Sequence, residues 1–265
     1  MALFELILLG LFVGAITGIT GASGVLITVP IFSTLFDIPL HVILGTSLIV
    51  DVIASISVSF AYARAKNLDI KGTVWILIGS LFGAQIGSFF VISISKVFII
   101  FVLAICMIFF GIRMLRSGFA KHKDSALVVP DKIAFYLKTP IGMILSGLLV
   151  GLTTGIFGAG GGLTIFILLY SFLKMPIKKA IGTSSFIMLL TAFSGVLGYS
   201  ENGNLDIKLG IIVGISAAIG GALSSIFANK IKEEFLSRIV GLFFIFFTVI
   251  MLLFKIAFPF LNYIF

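Results

Sequence analysis

Charged residues are scarce in this chain. Asp, Glu, Lys and Arg make up 11% of its 265 residues, while 60% of the residues are hydrophobic. A soluble domain carries about 25% charged residues, so the composition excludes a soluble globular protein and predicts an integral membrane protein in a lipid bilayer. The net charge of +8 reports loop orientation in such a protein, and we expect no nucleic-acid partner.

Cysteine and histidine are scarce as well. The single cysteine, Cys106, excludes an internal disulfide and a cysteine-ligated metal cluster. The two histidines, His41 and His122, lie at a predicted helix end and in a polar linker. The sequence contains neither an HExxH nor a Gly-x-Ser-x-Gly motif. We therefore expect neither an enzyme nor a metal or cofactor site.

Long hydrophobic runs dominate what is present. Two of them, residues 4–36 and 141–172, are too long for one crossing, since a straight helix of that length would measure roughly 50 Å against a hydrocarbon core of about 30 Å. Six others have roughly the 20 residues that one membrane-spanning helix needs. These six are residues 42–63, 73–92, 97–115, 180–199, 209–228 and 235–254.

Each overlong run contains a glycine cluster near its middle. The clusters are Gly-Ile-Thr-Gly-Ala-Ser-Gly at 18–24 and Gly-Ile-Phe-Gly-Ala-Gly-Gly-Gly at 155–162. Glycine costs about 1 kcal/mol in a helix interior and adopts turn conformations readily. The clusters therefore predict that each run consists of two half-helices separated by a break at membrane depth.

The chain contains an internal duplication. Residues 14–87 recur at 151–224 without a gap, and every matched pair is 137 residues apart. The offset pairs the two glycine clusters, Gly-Thr-Ser at 45–47 with 182–184, and Leu-Asp-Ile-Lys at 68–71 with 205–208. We predict one transport domain, residues 1–265, built from repeats 1–116 and 140–258 and a cytoplasmic linker, 117–139. A duplicated hydrophobic unit broken by glycine is typical of secondary transporters.

Two all-α membrane topologies fit the runs. In the first, each broken run is a re-entrant helix hairpin followed by three transmembrane helices, and the second repeat is inverted. Fifteen of the 18 Lys and Arg residues then lie on one side of the membrane. In the alternative, four plus four parallel transmembrane helices, eleven of the 18 lie on one side. Because cytoplasmic loops are enriched in Lys and Arg, the sharper partition favours the inverted hairpins.

The breaks are the predicted binding site. Backbone at membrane depth is tolerated where it is buried or lines a cavity, and a half-helix that begins there presents free N–H groups that attract anions. In the inverted arrangement both tips reach the midplane. The glycines would then form a site for a small anion without a buried cation. The competing interpretation is that they only permit tight helix packing.

Hydroxyl groups cluster around the breaks and at the following helix starts. They can donate hydrogen bonds to anion oxygens, although a helix-to-helix bond or an N-cap also explains each one. The predicted substrate-binding residues are Thr20, Ser23, Gly24, Thr46, Ser47, Gly160, Gly161, Gly162, Thr183 and Ser184.

Asp51 and Gln85 are candidates for coupling. Asp51 lies in the middle of a predicted spanning helix, where an acidic group costs about 2.5–3.5 kcal/mol, and its repeat counterpart is Met188. The carboxyl group could carry a coupling proton or coordinate a cation, or it could be capped by hydroxyls of Ser47 and Ser55. Gln85, whose repeat counterpart is Ala222, could pair with Asp51 or touch the substrate.

The duplicated Gly-x-x-Gly-x-x-Gly breaks, the Gly-Thr-Ser helix starts and the Leu-Asp-Ile-Lys loops resemble the sulfite exporter TauE/SafE family, and the likeness covers nearly the whole chain outside the linker. The resemblance implies a multi-pass protein of the prokaryotic inner membrane. It also implies transport of small sulfur-containing anions such as sulfite or organosulfonates. A permease for another small anion or weak acid, and an anion channel, stay open as alternatives.

Overall fold

The structure is a computed structural model that describes residues 3–24, 39–90, 105, 108–116, 136, 139–157, 161–201, 203 and 205–261. Within these ranges it is helical, with no β-strand. The helices are α1 (Leu3–Thr20), α2 (Leu40–Arg64), α3 (Val74–Phe90), α4 (Pro140–Phe157), α5 (Gly161–Ile167), α6 (Ile177–Glu201), α7 (Ile207–Lys230) and α8 (Glu233–Leu261). Residues 108–116 are helical as well.

Four of the described helices are long and apolar enough to cross a membrane. They are Leu3–Thr20, His41–Arg64, Ile177–Glu201 and Ile207–Lys230. Shorter apolar helices are Val74–Phe89, Pro140–Ile156 and Gly161–Phe172. The prediction of an all-helical protein is therefore confirmed for the described residues.

The first overlong run stops being helical inside its glycine cluster. The helix α1 ends at Thr20, and Gly21 follows with a φ of 65°, a left-handed conformation that favours glycine. In the second run α4 ends at Phe157 and α5 begins at Gly161, then continues as a π-helix over Leu168–Phe172. Residues 25–38 and 158–160 lie outside the described residues.

The chain divides into two compact units. One comprises residues 1–93 and 126–231, and the other comprises 94–125 and 232–265. In the second unit, residues 108–116 pack on α8. Gly111 and Gly241 face each other there, and the Ser237 hydroxyl donates to the carbonyl oxygen of Met114 at 2.9 Å.

Within the first unit, the first helix of each repeat packs on the other repeat. In α1, Gly10 faces Val213 of α7 and Gly18 faces Gly221, so the two helices run parallel. In the same way α4 packs on α3, with contacts between Gly147 and Ile76, Gly151 and Ser80, and Gly155 and Ala84. At all of these glycines an added Cβ would overlap the facing helix. Small residues at such positions let membrane helices approach closely.

The helices α2 and α6 pack side by side with opposite directions. Leu48 of α2 lies against Gly195 of α6, whereas Tyr62, further along α2, lies against Gly182, nearer the start of α6. By contrast, α2 runs parallel to α7, and α3 runs parallel to α6. The contacts that fix these directions are Ile49 with Gly210, Ser57 with Ala218, Ser80 with Thr191, and Ser88 with Gly198.

Large apolar side chains cover the outward faces of these helices. Phe82 is 66% exposed, Leu149 is 64% exposed and Leu223 is 65% exposed. Polar side chains such as Thr17, Thr46 and Asp51 are buried instead. Apolar side chains outside and polar side chains inside is the distribution expected of a protein surrounded by lipid.

Candidate functional site

The site centres on the break that follows α1. The backbone N–H of Gly21 still donates to the carbonyl oxygen of Thr17 at 2.8 Å, which closes the last turn of the helix. The hydroxyl of Thr20 donates to Ile16 and accepts from the N–H of Ala22 at 3.1 Å. Thr20 therefore satisfies a backbone donor at the break, where lipid would supply no partner.

The first break touches the start of α5, which follows the second break. A Cβ added to Gly162 would lie 2.7 Å from the backbone nitrogen of Ser23 and 2.8 Å from the carbonyl oxygen of Gly21. The hydroxyl of Ser184 on α6 also donates to the Gly21 carbonyl oxygen at 3.2 Å. The structure thus brings Ser23, Gly162 and Ser184, three predicted site residues from both repeats, to one place.

Asp51 lies at the same place and is 2% exposed. Its carboxylate accepts a hydrogen bond from the Ser23 hydroxyl and another from the N–H of Gly24, at 3.2 Å. Both donors therefore come from the break. Neither is Ser47 or Ser55, which the sequence offered as a possible cap. Ser47 donates to the Ile43 carbonyl oxygen at 2.7 Å.

Gln85 contacts other residues than Asp51 does. Its side-chain oxygen is 3.4 Å from the Ser194 hydroxyl, between α3 and α6, and it is partly buried. Asp51 is bonded to Ser23 and Gly24. The two coupling candidates therefore have separate sets of partners.

Thr46 and Thr183 tie the repeats together at the Leu-Asp-Ile-Lys loops. The Thr46 hydroxyl accepts from the backbone N–H of Asp206 at 2.9 Å, and the Thr183 hydroxyl accepts from that of Asp69 at 3.0 Å. Each threonine is thus engaged with the loop of the other repeat. Their role as substrate ligands stays a prediction.

Two tyrosines support the helix ends that precede the breaks, and the sequence reasoning missed them. The buried Tyr62 hydroxyl donates to the carbonyl oxygen of Gly18 at 3.0 Å, and the buried Tyr199 hydroxyl donates to that of Gly155 at 3.2 Å. Both pairs obey the 137-residue offset. The offset could have revealed them, because it pairs two tyrosines that lie in otherwise apolar stretches of helix.

Gly24 and Gly161 face their own preceding helices. A Cβ on Gly24 would overlap Val13 of α1, and a Cβ on Gly161 would overlap Thr154 of α4. A larger side chain at either position would therefore disturb the packing within its own hydrophobic run, whether or not a ligand is bound. Gly160 lies outside the described residues.

The site offers hydrogen-bond donors and one carboxylate. The donors are backbone N–H groups and hydroxyls, and such groups bind oxyanions by hydrogen bonding without a full positive charge. Among the described residues, no three side chains of His, Cys, Asp or Glu lie close enough to hold a metal ion.

The chain matches a known protein family and several of its members. Residues 6–253 match the family described as sulfite exporter TauE/SafE. The chain is 27% identical over 241 residues to the probable membrane transporter protein YdhB of Bacillus subtilis, an alignment that covers 89% of this chain and 95% of YdhB. It is 30% identical over 254 residues to the probable membrane transporter protein MJ0441 of Methanocaldococcus jannaschii, with 89% and 91% coverage.

No solved structure matches the chain. The family match extends over both breaks, both Gly-Thr-Ser helix starts and both Leu-Asp-Ile-Lys loops. The chain therefore belongs to the sulfite exporter TauE/SafE family of membrane transporters.

Proposed function

We propose that the protein is a secondary permease for small sulfur-containing anions such as sulfite or organosulfonates, and that it works by alternating access. The observation that carries this proposal is the contact of the two glycine breaks at Ser23 and Gly162. Discontinuous helices that meet at the membrane midplane form the binding sites of many secondary transporters. The family description, sulfite exporter, supports the substrate class.

The substrate site lies where the breaks meet. Backbone N–H groups next to Ser23 and Gly162 supply donors on two sides of a small oxyanion. Two groups of helices surround the site, and each contains helices of both repeats: α1 packs on α7 in one, and α4 packs on α3 in the other. Alternating access then requires the group of α1, α2 and α7 to change its angle to the group of α3, α4 and α6.

The repeats are inverted in this proposal. Support comes from the opposite directions of the equivalent helices α2 and α6, since parallel repeats would give equivalent helices the same direction. A second support is Asn229, whose side-chain oxygen accepts from Asn67 at 2.6 Å and whose carbonyl oxygen accepts from Lys178 at 2.8 Å. Asn67 and Lys178 therefore lie at one end of the unit. The parallel arrangement would put them on opposite sides of the membrane.

Cysteine labelling tests this topology. On a Cys106→Ala background, we expect Glu201→Cys to react with an impermeant maleimide added outside intact cells. Lys66→Cys and Lys179→Cys should react only after the cells are opened, because all three side chains are exposed and the basic ends face the cytoplasm. Outside labelling of Lys179→Cys together with protection of Lys66→Cys would establish the parallel arrangement instead.

A flux screen in proteoliposomes tests the function. We expect saturable uptake of labelled sulfite, thiosulfate or a small sulfonate, and counterflow when the unlabelled anion is loaded inside. Sulfate, and empty liposomes, serve as comparisons, and each anion is measured with and without a pH gradient. Saturation with counterflow indicates alternating access, whereas flux that is linear in concentration without counterflow would identify an anion channel.

A further inference from the structure

A row of polar side chains follows one face of α2 beyond the site. Asp51, Ser55 and Ser59 are spaced four residues apart, so they lie one above another on the helix surface. They are 2%, 0% and 5% exposed. The next position in the row is Ala63, which is exposed at the Arg64 end of the helix. The row therefore leads from the buried carboxylate to the end of α2.

The duplicate helix has no such row. The equivalents of Asp51, Ser55 and Ser59 in α6 are the apolar residues Met188, Ala192 and Val196. Met188 and Ala192 are buried, and Val196 packs against the core between α2 and α6. Because α6 occupies the same place in its repeat with an apolar row, the fold itself does not require polar groups at these positions.

The described part of the chain provides no hydrogen-bond partner for two serine hydroxyls in this row. Neither the Ser55 nor the Ser59 oxygen has a hydrogen-bond partner among the described residues, although both atoms are buried. Other serines on these helices donate to a carbonyl oxygen three or four residues back, as Ser47, Ser57, Ser80, Ser88 and Ser185 do. A buried hydroxyl without a partner destabilises the fold, so a function is the better explanation for a pair of them.

The spacing suits a relay through water. Four helical residues rise about 6 Å, and two hydrogen bonds of about 2.8 Å through one water molecule span that distance. A hydroxyl accepts one proton on its oxygen while it releases its own, so a row of hydroxyls and waters passes protons without a net change in itself.

We propose that Ser55 and Ser59 form a proton path that loads Asp51 from the Arg64 end of α2. A proton taken from bulk water near Ala63 passes through Ser59 and Ser55 and ends on a carboxylate oxygen of Asp51, which becomes a neutral carboxylic acid. The Ser23 hydroxyl and the Gly24 N–H then no longer face a negative charge. This inference rests on the proposed function in that a coupled permease needs such a proton.

Within the described helices α1, α2, α6 and α7, Asp51 is the only acidic or basic side chain away from the helix ends. Two buried tyrosines, Tyr62 and Tyr199, use their hydroxyls on Gly18 and Gly155. The charged groups on α1, α6, α7 and on α2 itself lie in their end turns. They are Glu5, His41, Arg64, Lys178, Lys179, Glu201, Lys208 and Lys230.

Infrared difference spectroscopy of the full chain in lipid nanodiscs tests the path without any substrate. The carboxylic acid band that appears after a jump to acid pH and is missing in Asp51→Asn belongs to Asp51. In the double variant Ser55→Ala and Ser59→Val, which copies the residues of α6, we expect the band to rise at least about tenfold more slowly. Its final amplitude should be unchanged.

Two matched variants complete the test. Ser59→Thr keeps a hydroxyl and should keep the parent rate. Ser57→Ala lies on another face, where Ser57 donates to the Ala218 carbonyl oxygen at 2.7 Å, and it should also keep the parent rate. Parent kinetics in the double variant, or equal slowing in Ser57→Ala, would overturn the path.

A cation site is the competing outcome. If Na⁺, added in place of choline at constant pH, prevents the Asp51 band as strongly as alkaline pH does, the row binds Na⁺ and the proton path is wrong. Because none of these measurements uses sulfite, a negative flux screen would overturn the proposed substrate class and leave this inference intact.

Discussion

Gly162→Ala is expected to reduce sulfite uptake strongly while the protein stays folded. The new Cβ would lie 2.7 Å from the Ser23 nitrogen and 2.8 Å from the Gly21 carbonyl oxygen, and it would overlap the sulfur of Met188. Two of these atoms belong to backbone, which cannot rotate away as the end of a side chain can. Since close-packed interiors respond to a single added methyl group, we expect uptake in proteoliposomes to fall at least about tenfold.

Two control variants separate the site from general packing. Gly195→Ala brings a Cβ within 3.0 Å of a terminal methyl group of Leu48, which can move, so uptake should be close to that of the parent. Gly162→Ala combined with Met188→Ala relieves the sulfur overlap but not the backbone overlap, and uptake should stay low. Full recovery in that double variant, with all proteins monodisperse in detergent, would show that the contact of the breaks is not needed for transport.

The helices and their interruptions could be predicted from sequence because they depend on local quantities. Hydrophobic length compared with bilayer thickness locates α2, α6 and α7, and glycine propensity locates the helix end at Thr20. Each of these judgements uses only residues that are close together in the chain.

The partners within the site could not be predicted, because they lie far apart in the chain. Asp51 has hydroxyls four residues away on its own helix, so the sequence offered Ser47 and Ser55 as one possible cap, beside a coupling role. The structure supplies Ser23 and Gly24 instead, 28 and 27 residues away. A buried carboxylate needs such donors, and the break brings these two to Asp51.

The contacts of Thr46 and Thr183 could not be predicted from the sequence either. The Gly-Thr-Ser repeats at 45–47 and 182–184 drew attention as possible ligands, yet Thr46 and Thr183 bond to backbone of the opposite repeat, 160 and 114 residues away. A duplication reveals which residues are equivalent. It does not reveal which repeat each one contacts, since that depends on how the two copies interleave.

Asp51→Asn is expected to stop uptake driven by a pH gradient and to leave exchange at equal pH intact. The asparagine oxygen can still accept from the Gly24 N–H, and its amide group can donate to Ser23, so both contacts of the site persist. Only the ability to ionise is lost. Net uptake coupled to protons requires a group that changes charge in the cycle, whereas one-for-one exchange of the anion moves no net proton.

The measurement compares initial rates of sulfite uptake in proteoliposomes with and without a pH gradient. In Asp51→Asn the rate with the gradient should fall to the rate without it, while equal-pH exchange stays within about twofold of the parent, since a substitution that preserves shape and hydrogen bonds disturbs the site little. Ser23→Ala is the matched control: it removes one hydrogen bond but keeps the carboxyl group, so its uptake should still respond to the gradient. If both variants lose the response, coupling requires the hydrogen bond from Ser23 as well as the ionisable carboxyl group of Asp51. If neither loses it, Asp51 is structural, and coupling must come from protonation of the transported anion itself.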